Sequence, residues 1–140
     1  MSQNKERFWS RIFRSAAIFN FAMGLPIFLF PLWSNQVAYL TQNIDVANTY
    51  RFWRDFGFTV VVIGIGYYIV SLDITKNRGI VWLGIIGKLY DVSILSYRFI
   101  IGIAGAFVLV PVIVDAIYVL LFILFLRRKY QDNSGEFRFS

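Results

Sequence analysis

Two uncharged apolar runs, residues 15–33 and 56–72, constrain this chain more than any other feature, together with a third apolar stretch over residues 79–126. Each of the first two is close to the roughly 17–25 residues that carry a helix across about 30 Å of hydrocarbon at 1.5 Å per residue. The third is too long for one crossing, and Gly102-Ile103-Ala104-Gly105 offers a turn in its middle. The pattern predicts an all-α, integral membrane four-helix bundle in one domain, with helices at about 8–33, 52–72, 79–101 and 106–127. An apolar share of 58% agrees, since soluble domains average 45–50%.

Orientation follows from lysine and arginine. With the amino terminus inside, Lys5, Arg7, Arg11, Arg14, Lys76, Arg78, Arg127, Arg128, Lys129 and Arg138 are cytoplasmic, against Arg51, Arg54 and Arg98 outside. That asymmetry predicts both termini in the cytoplasm, in a multi-pass arrangement. The formal charge of +6 is then a topology signal rather than a nucleic-acid footprint. No small-x-small cleavage site follows the first span, so it is expected to remain as an anchor. Phe8, Trp9, Ile12 and Phe13 alternate with Arg7, Arg11 and Arg14, which predicts an interfacial amphipathic lead-in to that span. Residues 34–50 read as a polar outer loop with a short interfacial turn near residues 37–40, and residues 131–140 as a disordered cytoplasmic tail. Trp33, Tyr50, Trp53 and Tyr130 fall where amphipathic rings anchor at headgroups.

The chain has no cysteine and no histidine. Disulfides, thiolate chemistry and the usual zinc, copper and haem ligands are thereby excluded, no metal site is expected, and an enzyme is the least favoured reading.

Ionisable groups in the apolar spans are where a function is to be sought. Lys88 lies nine residues past Gly79, hence about 14 Å deep, with Asp91 one turn further on. Asp115 reaches similar depth from the other side, nine residues past Ala106. A central Lys or Asp costs about 2.5–3.5 kcal/mol to insert, so the third helix is marginal unless its charges find partners in each other and in Asp115. Small and polar residues share stripes that predict the bundle interior: Ala16, Asn20, Gly24 and Pro31; Gly57, Gly64, Tyr68 and Ser71; Gly84, Gly87, Lys88, Asp91 and Arg98; Val108, Pro111, Asp115, Tyr118 and Phe122.

Lys88, Asp91 and Asp115, with Asn20, Tyr68 and Tyr118 as neighbours, therefore form the candidate intramembrane cluster. It is open to three readings: a salt-bridged element that fixes helix register, a ligand pocket, or a proton or ion path. One lysine against two aspartates leaves a net negative charge, to be met by a proton, by Arg98 or by a cation. A second group, Arg51, Arg54 and Asp55, is expected at the outer interface, with Asp55 near a helix start and an outer gate or lipid-headgroup contact as its functional alternative. Pro26 and Pro111 are read as bends.

Phe19-Asn20-Phe21-Ala22-Met23-Gly24-Leu25-Pro26, the glycine-rich second span ending near Asp73, the pair Gly87-Lys88 and the intramembrane Asp115 together resemble the DoxX-like group of small bacterial four-helix membrane proteins. The resemblance covers about residues 12–127. It implies a compact four-helix bundle, some relatives being linked to quinone-coupled respiratory or sulfur-oxidising complexes; the missing cysteines put any thiol-based role in doubt. No cofactor is identified from the residues themselves, and a bound lipid or quinone is the ligand expected. The partners expected are the lipid bilayer and a larger membrane complex or homo-oligomer, with no nucleic acid. The function expected is an accessory or lipid- or quinone-binding membrane subunit, the alternative being a small proton-coupled transporter that uses Asp91 and Asp115.

Overall fold

The computed structural model describes residues 3–39 and 46–135; the side chains of residues 46–49 and 128–135 are outside that description. The elements in order are α1 (Gln3–Leu29), α2 (Pro31–Ala38), α3 (Val46–Leu72), α4 (Arg78–Ile100), a 3-10 turn (Ala106–Val108) and α5 (Leu109–Gly135). Four of these helices are long and apolar enough to cross a membrane, the architecture of a multi-pass membrane protein. At most 33% of any apolar span window is buried within the chain. Side chains such as Leu83, Ile86, Ile100 and Leu120 point outward instead, a continuous apolar surface that water would not tolerate and that lipid accepts.

Prolines set two boundaries. Pro31 disfavours helical geometry at the residue before it, and Phe30 departs accordingly (φ −129°, ψ 60°), so α1 stops at Leu29 and Pro31 opens α2. The first span thus ends four residues earlier than its apolar run suggests. In place of a polar loop with a turn at 37–40 there is a two-turn helix over Pro31–Ala38, and α3 begins already at Val46. Pro111 is no bend either. It stands in the first turn of α5, where its missing N–H leaves no helical bond unmade. At the far end α5 continues through Gly135, past the expected start of the tail, of which residues 136–140 lie outside the described residues.

α1 and α3 run antiparallel and approach through glycine. A side-chain carbon on Gly57 would lie 2.5 Å from the Phe28 backbone nitrogen, and one on Gly24 would lie 3.0 Å from the Gly57 carbonyl oxygen. α4 and α5 form the second antiparallel pair, joined by a turn in which Gly102 takes φ 78° and the Ile103 and Ala104 amides donate to the Arg98 carbonyl at 3.1 and 3.2 Å.

At the end of the bundle that carries the amino terminus, aromatic rings lock the pairs together. Phe13 stacks on Phe122 at 4.9 Å and meets Phe125 edge-on at 5.0 Å, Trp9 packs on Phe125 at 5.3 Å, and Tyr67 meets Phe122 at 5.2 Å. Trp9 and Phe13 are therefore core residues, not the interfacial face expected for them, while Phe8 does face outward. The reason is that α1 is one continuous helix from Gln3, so these rings meet α5 rather than headgroups.

The opposite end is closed differently. The Gly105 amide donates to the Ala38 carbonyl at 2.9 Å, Tyr39 and Ala104 form an isolated antiparallel bridge, and Arg98 donates to the Tyr39 hydroxyl while lying over its ring. The end of α2 is thereby tied to the α4–α5 turn.

Between α3 and α4, Asp73 organises the loop as an Asx-type turn. Its carboxylate accepts from the Thr75 amide at 2.9 Å and from the Thr75 hydroxyl, and pairs with Lys76 at 3.1 Å. The Thr75 side-chain hydrogen bond first, and then that to Lys76, hold this carboxyl down at about 2. A lowered value means that the turn is held at neutral pH and released as pH falls from the ordinary carboxylate range towards 2.

Two tests follow from this packing. Gly57→Ala should destabilise the bundle by about 1–3 kcal/mol, as overpacking does, in a reversible unfolding titration in detergent. Gly79→Ala, with nothing within 4 Å of the added carbon, should leave stability nearly unchanged. A carboxyl NMR titration should find Asp73 near 2, and Thr75→Val should raise it; an unmoved value would remove the turn as the cause.

Candidate functional site

The two helix pairs touch through large rings at one end and through α2 at the other, and between these closures lies a partly open cavity of about 180 Å³. Chain direction places its parts. The lining residues nearest the aromatic seal are Phe19, Asn20, Tyr67, Gly87, Lys88 and Asp115, which make the floor. Trp33, Ser34, Val37, Ala38, Trp53, Phe107 and Val108 make the ceiling, and Met23, Phe56, Val60, Ile63, Asp91, Leu95 and Pro111 are among the walls.

On the floor, Lys88 and Asp115 form a direct ion pair, each side chain less than a tenth exposed. The Lys88 ammonium also donates to Asn20 Oδ1 at 3.2 Å, and the Asn20 amide donates to the Val60 carbonyl at 3.2 Å, which pins the α4 charge to α1 and α3. Three rings surround the same ammonium, with centroids at 5.7 Å (Phe19), 5.5 Å (Tyr67) and 5.4 Å (Tyr118), the distance range of cation–π attraction. An ammonium that has left water is thus met by a carboxylate, an amide oxygen and three aromatic faces.

The sequence-derived cluster is assembled only in part. Asn20, Lys88, Asp91 and Asp115 line one cavity, and Tyr118 flanks it, turning its hydroxyl to Ser15 at 3.0 Å. Asp91 faces that cavity from the α4 wall but carries no ion pair or hydrogen bond among the described residues. Arg98, expected near the carboxylates, is turned to Tyr39 instead. Tyr68 does not join the site: it is 45% exposed and faces outward, and the ring on the floor belongs to its neighbour Tyr67, which is fully buried.

The sequence left these two tyrosines close to equal. Residues three and four past Gly64 both fall near the glycine stripe, on either side of its centre, and only the rotation of α3 against α4 decides between them. Gly84 makes room for Tyr67: a side-chain carbon there would stand 2.6 Å from the hydroxyl oxygen. That hydroxyl is buried with no hydrogen-bond partner.

Arg51, Arg54 and Asp55 lie apart from the cavity, on the exposed side of α3. Arg54 sits over the Phe28 ring at 5.2 Å. Asp55 is well inside α3, which begins at Val46, so it is not a helix-start carboxylate; its backbone carbonyl accepts from the Thr59 hydroxyl at 3.0 Å. Trp53, between them in sequence, turns inward and donates to Ser34 Oγ at 2.8 Å, which satisfies the polar atoms of the ceiling. Among the described lining residues, the charged side chain left without an ion pair or hydrogen bond is accordingly that of Asp91.

Family models, curated proteins and solved structures were compared with this chain, and none matches it. The chemistry of the site therefore rests on its own geometry.

Removing one partner of a buried pair strands the other charge. Lys88→Met should cost about 3–5 kcal/mol in the unfolding titration. Lys88→Met with Asp115→Leu should recover most of that loss, with Asp91 left in place; a double variant no more stable than the single one would show that the pair does not act as a unit.

Proposed function

We propose that this chain is an accessory membrane subunit whose cavity holds a lipophilic small molecule. One observation carries the reading: a space of about 180 Å³ between the helix pairs, walled by apolar and aromatic side chains, onto which the Asp91 carboxyl faces with no ion pair or hydrogen bond among the described residues. Binding sites for small molecules combine an apolar wall with a few converging polar groups in this way.

Volume narrows the class. A cavity of about 150 Å³ holds a benzene-sized ring, so this one takes a single ring or a short branched chain and not a diacyl lipid. A quinone-like ring or the end of an isoprenoid chain fits, its remainder leaving between the helix pairs. The DoxX-like resemblance supports an accessory role in a larger assembly of the bacterial inner membrane. Proton-coupled transport through Asp91 and Asp115 is less well supported, because the layer of Phe13, Tyr67 and Phe122 closes the space beneath the ion pair.

Native mass spectrometry after mild extraction should find a small lipophilic molecule retained by the protein. Gly87 borders the cavity, and a side-chain carbon there would meet only Ile63 Cδ1, at 4.0 Å. Gly87→Leu should therefore fill the space, keep the fold and abolish retention. A well-folded protein empty in both forms, or one that keeps its ligand after the substitution, would remove the proposal.

A further inference from the structure

The ligand's head can be specified from the charges that the site leaves over. Lys88 is the one cation among the lining residues, and it is taken by Asp115, Asn20 and the surrounding rings. Asp91, one turn further along α4, lines the same space with no ion pair or hydrogen bond among the described residues. The other cation near enough on its helix to have served it, Arg98, donates to Tyr39 at the closed end of the bundle. The lining therefore holds two carboxyl groups and one ammonium, and the carboxyl left without a partner is that of Asp91.

A carboxylate facing an apolar space at mid-depth in a membrane is costly unless a cation meets it or a proton neutralises it. Its surroundings suit a cation from outside the chain. Trp53, Phe56, Tyr67 and Phe107 line the same cavity, and their ring faces attract ammonium groups, most strongly where water is excluded.

We infer that the cavity binds a small lipophilic organic cation, an amine or quaternary ammonium carried on a single ring or short apolar body, with Asp91 as its counter-ion. The inference rests on the ligand-holding reading above and selects among its ligands. A neutral quinone-like ring leaves an ionised Asp91 without a counter-charge; an ammonium supplies one. A free carboxylic acid would add a third negative charge to the site and is excluded on the same ground.

The test uses the full chain in lipid nanodiscs and two probes of the same shape, benzyltrimethylammonium and neopentylbenzene, which differ by nitrogen in place of carbon. Binding is read from the shift in thermal unfolding over a concentration series. The cation should bind roughly tenfold or more tightly than its neutral twin. Asp91→Asn, which breaks no contact within the protein, should erase that preference while neopentylbenzene still binds, showing that the cavity and fold are intact. Equal binding of the two probes to the unaltered protein would overturn the cationic head and leave the ligand-holding reading standing, as would a preference that survives Asp91→Asn. Failure of both probes to bind would overturn both readings.

Discussion

The Lys88–Asp115 pair is the contact around which this bundle is arranged. A lysine in the middle of an apolar helix has no aqueous alternative, so its ammonium must be met by protein, and here it is met from three other helices at once: Asp115 of α5, Asn20 and Phe19 of α1, and Tyr67 of α3. Each of these contacts fixes the rotation of its helix against α4. Non-directional packing among apolar side chains in lipid supplies no comparable constraint, since helices gain little by exchanging acyl chains for leucine. Register in this protein is therefore set by polar contacts and by glycine, with aromatic rings filling what those two leave.

The cavity is a consequence of the same arrangement. α1 and α3 are drawn close along their length by Gly24, Gly57 and Gly64, and α4 and α5 are held as a hairpin by the turn at Gly102. The two pairs cannot also close on each other everywhere. Large rings bridge them at one end, α2 bridges them at the other, and the interval is left open above the ion pair. Asp91 sits in that interval, one helical turn away from charges that are already matched. An acid at this place with no ion pair or hydrogen bond among the described residues is the ground for proposing that the interval has an occupant.

The contrast between the two ends of the bundle also bears on how an occupant enters. The aromatic seal is made by fully buried rings from three helices, and releasing it would expose the main core. The α2 closure depends on the Tyr39–Ala104 bridge with its Gly105–Ala38 hydrogen bond, the Trp53–Ser34 hydrogen bond and the Arg98–Tyr39 contact, around a far smaller apolar cluster of Ala38, Ala104 and Val108. Local opening follows low contact density, so the α2 end is the side on which the cavity opens at lower cost.

Much of this was legible in the residues alone. The number of long apolar helices, the bounds of α4 to within a residue, the hairpin turn at Gly102 and the gathering of Asn20, Lys88, Asp91 and Asp115 follow from apolar run length, helical spacing and the cost of charge in lipid, which act on one helix at a time. What needed the tertiary structure were the choices between helices. That Lys88 pairs with Asp115 and not with Asp91, that Tyr67 rather than Tyr68 faces the cavity, that Trp9 and Phe13 join the core, and that Arg98 turns to Tyr39 all depend on how far each helix is rotated and shifted against its neighbours. Spacing along one chain confines a side chain to a sector of its helix about 100° wide, and only contact with the other helices resolves positions within that sector.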